Sequence, residues 1–409
     1  MSRSRPAERS VTLLAATLAV VLFSLSWAAL HRGFYTRDQI VDTPVYQRYG
    51  DLMATGHVPY RDFGLEYPPG ALPMFVLPAL GHHDTAQFTS FRASFESLMW
   101  ACGVAMLVAM AFALRAVGAS TRRTVGALVF AALAPLALGS VVLSRFDLWP
   151  AAVTAAALAA LVWGRLRLGH GLLGLGVAAK VYPAVLVPLA LVHVWRRRGR
   201  REALVCLGVL VAVIAVVVGP FLALAPGGVW SSVVRQTTRP LQIESVGAAI
   251  LIALHHAAGL GVTMRSSHGS QNLAGGGPNA VGSLQTVLQA AALLAIWALY
   301  ARGRGGREEL LRASAAAAVA FVALGKVLSP QFLIWLVPLV PLVRGRRGFA
   351  ASALLLVAMV LTQVWFPFRY WSYALAFDPT SSWLVLLRDL VLLGLLFTLA
   401  WPEREGARG

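Results

Sequence analysis

Acidic and aromatic residues alternate in one short stretch of the chain. Five of the 17 Asp and Glu residues lie there: Asp38, Asp42, Asp51, Asp62 and Glu66. Six aromatic residues are interleaved with them: Tyr35, Tyr46, Tyr49, Tyr60, Phe63 and Tyr67. Carboxylates accept hydrogen bonds from sugar hydroxyls, and aromatic rings cover the apolar faces of sugars. The pattern is therefore typical of a carbohydrate site, although a solvated loop with interfacial tyrosines has the same composition.

Asp42 lies at the predicted start of a helix. Thr43 and Pro44 have the residue types of an N-cap and a first helical position, and Gly56 suits a C-terminal stop, so we predict a helix that runs to about Ala54. The helix dipole favours the ionised form of a carboxylate beside this N-terminus. A general base must be ionised at neutral pH, and Asp42 therefore meets this condition.

Two lysines stand apart from the other basic residues. Lys180 lies in GVAAKVYPAVLVP and Lys326 in VALGKVLSPQFLIWLVP, while all other bases among the 35 are arginine. Both segments interrupt apolar stretches at prolines, which break helices. A base at membrane depth is costly and is therefore functional or paired, unless its side chain extends to the interface.

Other charged residues have weaker patterns. Arg388 and Asp389 lie inside the last apolar stretch, and adjacent helical residues point apart, so we expect each to have another partner. Glu244 in RPLQIESV is equally compatible with a ligand contact and with a surface position. The sequence shows no compelling metal-ligand set, and we predict no cofactor.

The composition excludes an ordinary soluble protein. Apolar residues make up 58% of the 409 residues and charged residues 13%, against roughly 45–50% and about 25% in soluble domains. A spanning helix needs about 20 apolar residues. We predict eight spans: residues 11–30, 93–116, 124–143, 148–163, 203–224, 284–301, 349–366 and 383–400. The first is too long for a signal-peptide core, and we interpret it as an uncleaved anchor.

Two further apolar stretches, 170–195 and 310–343, have arginine clusters at both ends. Both ends of each stretch should therefore be cytoplasmic, which requires a hairpin. The fold class that follows is all-α, a polytopic membrane protein with about eight full spans and two short-helix hairpins. The whole chain, 1–409, forms one transmembrane domain with both termini cytoplasmic. The net charge of +18 marks the cytoplasmic face, and scattered juxtamembrane arginines argue against nucleic-acid binding.

Most polar sequence outside the membrane belongs to three external regions, approximately 32–92, 225–283 and 366–382. A short apolar piece in the first, residues 71–80, is too short to cross. In the second we predict a surface helix over residues 246–260 and a mobile segment over residues 266–279, which is rich in Gly, Ser and Asn. Any chemistry should therefore take place on the external side.

Three segments resemble glycosyltransferase family 87, the polyprenol-phosphate-mannose-dependent mannosyltransferases. The first is DTPVYQRYGDLMATGHVPYRDFGLEYPPGALPMFVLP, which begins at Asp42. The others are KVYP at Lys180 and LSPQFLIWLVP, which contains Gln331. The resemblance implies a C-type glycosyltransferase: a helical bundle in the cell membrane with an external active site. Its implied substrates are a polyprenyl-phosphate sugar and a glycolipid or glycan acceptor, both handled among membrane lipids.

Residue roles follow from that resemblance. Asp42, in D-x-x-V-Y, takes the position of the proposed general base, and Asp38 competes with it. Displacement of a lipid phosphate also requires cations for the leaving group. The candidates are Lys180, Lys326, Arg145 in SRFDLW and Arg369 in FPFRYW. Residues assigned to sugar or acceptor binding are Tyr46, Tyr60, Asp62, Glu66, Tyr67 and Gln331.

The function implied by the resemblance has two rivals. A transporter or lipid-sugar flippase would explain two interrupted hairpins with one lysine each, but not an acid-rich external loop. A non-catalytic scaffold would leave the intramembrane charges without a purpose. Mannose as the sugar rests on the resemblance alone, because arabinofuranose donors use the same lipid-phosphate chemistry.

Overall fold

The computed structural model describes residues 6–80 and 88–401, with side chains from residue 12. The helices in these ranges are α1 Pro6–Ala29, α2 Thr43–Ala54, α3 Pro73–Ala79, α4 Phe88–Ala116, α5 Thr121–Leu138, α6 Val141–Ser144, α7 Leu148–Val162, α8 Leu166–Ala179, α9 Val187–Leu224, α10 Pro226–Thr237, α11 Val246–Ala258, α12 Gly276–Arg302, α13 Arg307–Ala323, α14 Leu333–Leu336, α15 Gly345–Trp365, α16 Tyr370–Ala376 and α17 Pro379–Ala400. Two strands, β1 Thr263–Ser267 and β2 Ser270–Ala274, form an antiparallel hairpin.

The long helices confirm an all-α, multi-pass membrane protein. Within the described ranges, seven helical stretches are long and apolar enough to cross a membrane. These are Thr12–Ala29, Phe88–Ala116, Thr121–Leu138, Tyr182–Leu224, Gly276–Arg302, Gly345–Trp365 and Pro379–Ala400. The remaining predicted span corresponds to α7, whose 15 residues extend only about 23 Å. Nearly all of α7 is buried, so it lies inside the bundle.

Both predicted hairpins are present, with their breaks at the two lysines. The first half, α8, ends at Ala179, and Lys180 is extended with φ −160° and ψ 142°. The chain then returns through a short 3₁₀ turn into α9, which kinks at Gly199. In the second hairpin, α13 ends at Ala323 and helical structure resumes at Pro330. Hydropathy and prolines therefore located both reversals correctly.

The arginine-rich loops meet at one end of the bundle. Arg123 lies in the first turn of α5. It pairs with Glu308 at the start of α13 through N–O contacts of 2.5 and 2.7 Å. Arg167 of α8 pairs with Glu202 of α9 at 2.8 Å. Because these loops are distant in sequence, their convergence agrees with one basic face. Its assignment to the cytoplasm stays a prediction.

The opposite end is more ordered than the sequence suggested. The α2 helix ends at Ala54 as predicted, but it begins one residue early, because Asp42 and not Thr43 occupies the N-cap position. The helix predicted from residue 246 is present as α11, but its first four residues are buried and do not lie on the surface. The prediction of a mobile segment over residues 266–279 is wrong, since Ser267 pairs with Ser270 in the β-hairpin and residues 276–279 form the first turn of α12. His268 and Gly269 adopt φ values of 54° and 67°, which close a tight turn. The buried Asn272 amide then donates to the Ser267 carbonyl at 2.9 Å.

A third extended segment joins this hairpin to the helix bundle. Residues 241–243 run beside β2: the Ile243 N–H donates to the Gln271 carbonyl at 3.1 Å, and the Leu273 N–H donates to the Leu241 carbonyl at 2.9 Å. On its other side, the Gln242 N–H donates to the Lys326 carbonyl at 3.0 Å. The second hairpin break therefore supports the extramembrane structure.

Candidate active site

A buried carboxylate organises the junction between α6 and α7. Asp147 is 1% exposed, and its Oδ1 accepts hydrogen bonds from Lys180 Nζ at 2.5 Å and from the Trp335 indole at 2.6 Å. These donors come from the two predicted hairpins. Asp147 therefore links both of them to the start of α7. Asp147 was not among the residues predicted from sequence, although its position two residues after the candidate Arg145 indicated that it could lie in the same site.

Lys180 is held in an aromatic box above that carboxylate. Its Nζ lies 4.5 Å from the ring centroid of Phe146 and 5.0 Å from that of Trp335, in addition to the ion pair with Asp147. Burial lowers the pKa of Lys180, and the charge of Asp147 opposes that shift. Both the carboxylate and the ring faces stabilise the ammonium form. The lysine is thus a paired cation of the interior and does not extend to the interface.

The second charge pair joins the first external loop to the same junction. Asp42, immediately before α2, forms an ion pair with Arg145, and the Tyr46 hydroxyl donates a long bond of 3.4 Å to Asp42 Oδ2. Burial lowers the pKa of Arg145 to about 10, so its guanidinium is charged at neutral pH. The Asp42 side chain is 31% exposed, against 8% for Arg145. Asp42 therefore presents a partly accessible carboxylate beside a buried cation.

Asp42, Arg145, Asp147 and Lys180 form one group, which we call the charge cluster. Arg145 and Asp147 are two residues apart, and Arg145 also acts electrostatically on Lys180. The first loop approaches closely because Gly70 has no side chain: a Cβ there would lie 2.6 Å from the backbone carbon of Ala178. The Trp149 indole donates to the Gly70 carbonyl at 3.1 Å and fixes this contact.

The tyrosines of the first loop support the cluster from within. The Tyr46 ring stacks on Phe75 with a centroid distance of 4.6 Å and is 1% exposed. Tyr67 packs edge-on against Phe146 at 5.1 Å, and the Tyr60 hydroxyl donates to the Tyr67 carbonyl at 2.5 Å. Because these rings cover one another, their main structural role is to hold the loop against α7.

Two other predicted site residues have local partners. Asp62 accepts from the Val58 N–H at 2.7 Å and pairs with Arg61, and these bonds, with that to Arg61 the larger effect, lower the pKa of Asp62 to about 2. Arg369 is half exposed and lies 3.8 Å from Asp378. Among the described residues, the partners of Asp62 and Arg369 lie outside the charge cluster.

The remaining candidates form no ion pair with the cluster in the described ranges. Lys326 Nζ donates to the Thr237 carbonyl at 3.2 Å, and in the described ranges it pairs with no carboxylate. Gln331 accepts from the Ser329 hydroxyl at 2.6 Å. Asp38 is exposed with φ 47°. Glu66 contributes to the electrostatic field at Lys180. The structure thus brings together Asp42, Arg145 and Lys180 and leaves Lys326 apart.

Glu244 is buried, which excludes the surface position considered for it. It is 1% exposed, its Oε2 accepts from the Gln242 amide at 2.7 Å, and its Oε1 has no hydrogen-bond partner in the described ranges. Burial raises the pKa of Glu244 to about 8, while Arg388 and Arg145 act in the opposite direction. Glu244 is therefore a neutral carboxylic acid at pH 7 that lies within electrostatic reach of Arg145.

Arg388 anchors the backbone of Glu244. Its guanidinium donates to the Glu244 carbonyl at 2.8 Å and to Asp389 Oδ1 at 2.7 Å. The expectation of another partner is confirmed for Arg388, which bonds Glu244, but is wrong for Asp389, whose hydrogen bond in the described ranges comes from the neighbouring Arg388. Both are fully buried. The pair consequently ties α17 to the extended segment that carries Glu244.

The fold and site define a multi-pass helical membrane protein with a buried charge cluster at one end. The family model for glycosyltransferase family 87 matches residues 65–330. The chain belongs to that family and is a membrane glycosyltransferase. A crystal structure of ArnT from Cupriavidus metallidurans bound to undecaprenyl phosphate is similar over 95% of this chain and 76% of that chain, with 15% sequence identity and a TM-score of 0.49. No curated protein matches the sequence.

Proposed function

We propose that this glycosyltransferase moves a hexose, mannose by its family, from a polyprenyl-phosphate donor to a lipid-linked or cell-envelope glycan acceptor. One observation carries the proposal: a partly exposed carboxylate, Asp42, pairs with the buried Arg145, and Arg145 in turn acts electrostatically on a second buried cation, Lys180. A single displacement at an anomeric carbon requires these two functions, a base for the acceptor and positive charge for the phosphate.

The proposed reaction is a single displacement in which Asp42, Lys180 and Arg145 take part. The acceptor oxygen forms a bond to the anomeric carbon as its proton passes to Asp42. The bond between that carbon and the phosphate oxygen breaks, and the oxygen keeps the electron pair. Lys180 and Arg145 stabilise the charge that develops on the leaving phosphate. Since attack and departure occur on opposite faces, the anomeric configuration is inverted.

Arg145 couples donor binding to the ability of Asp42 to accept a proton. Its guanidinium is paired with Asp42. A phosphate oxyanion competes for the same donor groups, because arginine binds phosphate as well as carboxylate. Donor binding would therefore weaken the Asp42–Arg145 pair and free the carboxylate to accept the proton. In the same way, Asp147 keeps Lys180 charged and in place until the phosphate arrives.

The position of the cluster supports an external active site. Arg165 precedes α8 and Lys180 follows it, so its 14 residues separate the arginine-rich end from the cluster by about 21 Å. If the arginine-rich end is cytoplasmic, as the distribution of bases predicts, the cluster faces the outer leaflet. This is the side on which a lipid-linked donor and a cell-envelope acceptor would meet.

The test is sugar transfer by Asp42→Asn in membranes supplied with a labelled polyprenyl-phosphate sugar. We expect a loss of about 10²–10⁴-fold in rate, the usual contribution of a general base. Glu202→Gln is the control and should retain activity, because Glu202 pairs with Arg167 at the arginine-rich end of the bundle, away from the charge cluster. Size-exclusion chromatography checks folding. Normal transfer by Asp42→Asn would refute its role as the base, and a selective loss in Asp38→Asn would assign that role to Asp38.

The same membranes distinguish a transferase from a flippase. A transferase forms a new glycosidic bond in detergent solution, where no sidedness exists, whereas a flippase moves an unchanged lipid and requires a sealed bilayer. Product formation by detergent-solubilised wild-type protein supports the proposal. Movement of intact donor without product would favour the transporter alternative.

A further inference from the structure

A polar cavity opens between α10 and the turn of the β-hairpin. Its volume is about 480 Å³, and it is lined by Trp230, Ser231, Val234, Arg235, Ser267 and His268. Small-molecule sites have volumes of roughly 300–1,000 Å³. The cavity is thus large enough for one or two sugar rings.

The lining has the chemistry of a carbohydrate site. The Trp230 side chain is 68% exposed and offers an open aromatic face. Hydroxyls of Ser231 and Ser267 and the Arg235 guanidinium supply polar groups on the walls. The Nδ1 atom of His268 is shielded from solvent, with no hydrogen-bond partner in the described part of the chain. An unpaired buried polar atom is costly and points to a ligand hydroxyl as its partner.

The cavity adjoins the charge cluster through Glu66. A Cβ built on Gly269, the neighbour of His268, would lie 3.6 Å from Glu66 Oε2. The side chain of Gln236 donates to the Glu66 carbonyl at 3.1 Å from the α10 side. Glu66 in turn acts electrostatically on Lys180. Glu66 therefore lies near the hairpin turn at the edge of the cavity and within electrostatic reach of the proposed donor-phosphate site.

The location of α10 suits a lipid-linked ligand. The helix begins at Pro226, two residues after the membrane-spanning α9 ends at Leu224. It is held against the first loop at Gly228, where any side chain would collide with the Tyr60 carbonyl. Trp230 is thereby fixed just beyond the end of a span, at the height where a glycolipid presents its first sugars.

We infer that this cavity binds a sugar residue of the acceptor glycolipid. Trp230 covers the apolar face of that sugar, and His268 and Ser267 contact its hydroxyls, so that the neighbouring acceptor hydroxyl is directed toward Asp42. The inference rests on the proposed glycosyl transfer, because it assigns the acceptor side of that reaction. Trp230 is a binding residue and takes no part in the displacement.

Kinetics of Trp230→Ala, with Trp230→Phe and Trp383→Ala for comparison, test the inference. We expect Trp230→Ala to raise the acceptor KM about tenfold, equivalent to about 1.4 kcal/mol, with the donor KM unchanged. Trp230→Phe should restore most of the affinity. Trp383, 48% exposed at the start of α17, is the matched surface tryptophan, and its replacement should change neither KM. An unchanged acceptor KM in Trp230→Ala, or an equal change in Trp383→Ala, would overturn the inference.

A binding measurement separates this inference from the proposed reaction. The probe is a short-chain alkyl mannoside, titrated against nanodisc-embedded protein, with the alkyl alcohol of equal length as the apolar control. Mannoside binding that Trp230→Ala weakens, with alcohol binding unchanged, supports a sugar site even if the wild type transfers no hexose. An equal loss of mannoside and alcohol binding would show that Trp230 is an apolar membrane anchor and refute the sugar site.

Discussion

Replacing Asp147 with asparagine removes the charge that balances Lys180, and we expect it to cost both stability and activity. Asp147 is 1% exposed and the Lys180 side chain 17% exposed, so water cannot replace the lost carboxylate. Removing one partner of a buried ion pair costs about 3–5 kcal/mol. Asparagine keeps an oxygen that can accept from Lys180 and from the Trp335 indole, which now donate to Asp147 at 2.5 and 2.6 Å. We therefore expect the lower limit, about 3 kcal/mol.

A second substitution distinguishes charge imbalance from other effects. In Asp147→Asn with Lys180→Met, neither charge remains, and methionine fills the aromatic box with an apolar chain of similar length. Buried ion pairs replaced by apolar residues are often close to neutral in stability. The double variant should therefore recover most of the lost stability, while sugar transfer stays low because the phosphate has lost a cation.

The measurement is thermal denaturation of the purified variants in detergent, followed by transfer assays on the same samples. For a chain of 409 residues, a loss of about 3 kcal/mol corresponds to a fall of roughly 3–4 °C in apparent Tm. If the double variant is no more stable than Asp147→Asn alone, the unpaired lysine is not the cause of the loss. Recovery of transfer in the double variant would refute a role for Lys180 in binding the donor phosphate.

Three further predictions follow from single contacts. Gly70→Ala should destabilise the protein by about 1–3 kcal/mol and reduce transfer, because the new Cβ would lie 2.6 Å from the Ala178 backbone; an unchanged Tm would contradict this. The raised pKa of Glu244, about 8 against an ordinary 4.5, gives stability that is fully present below pH 4.5 and lost as pH rises through 8. Glu244→Gln should remove that part of the decline in Tm between pH 6 and 9, and identical pH profiles would contradict it. Lys326→Ala should raise the donor KM less than Lys180→Ala does, since the hydrogen bond of Lys326 Nζ within the described ranges is to the Thr237 carbonyl; equal effects in a donor titration would place both lysines on the phosphate.

Local sequence patterns predicted much of the fold. Apolar length located the long helices, and the prolines beside Lys180 and Lys326 located both hairpin breaks. Capping residue types predicted the end of α2 at Ala54 and its start to within one residue, since Asp42 and not Thr43 is the N-cap. These features depend on residues within one or two helical turns of each other. They are predictable because helix formation and membrane insertion are determined by such local sequence.

The site was predictable only in its separate members. Asp42, Arg145 and Lys180 were all candidates from residue type and position, but nothing in the sequence paired Asp42 with Arg145. The partners of Asp147 come from 33 and 188 residues away along the chain. Such pairings depend on how α7 and α8 pack. Residue type alone does not predict them, because Asp, Arg and Lys occur in many loops without forming these pairs.

By itself, then, the sequence determined that this chain crosses a membrane repeatedly, reverses at two lysines and carries the motifs of its glycosyltransferase family. Only the tertiary structure decided which lysine joins the cluster, since Lys180 meets Asp147 whereas Lys326 turns to a backbone carbonyl. It also placed Glu244 in the interior and ordered the hairpin beside it. The physical reason is that hydropathy and capping act along the chain, while the pairing of buried charges is set by which side chains the packed helices bring within contact.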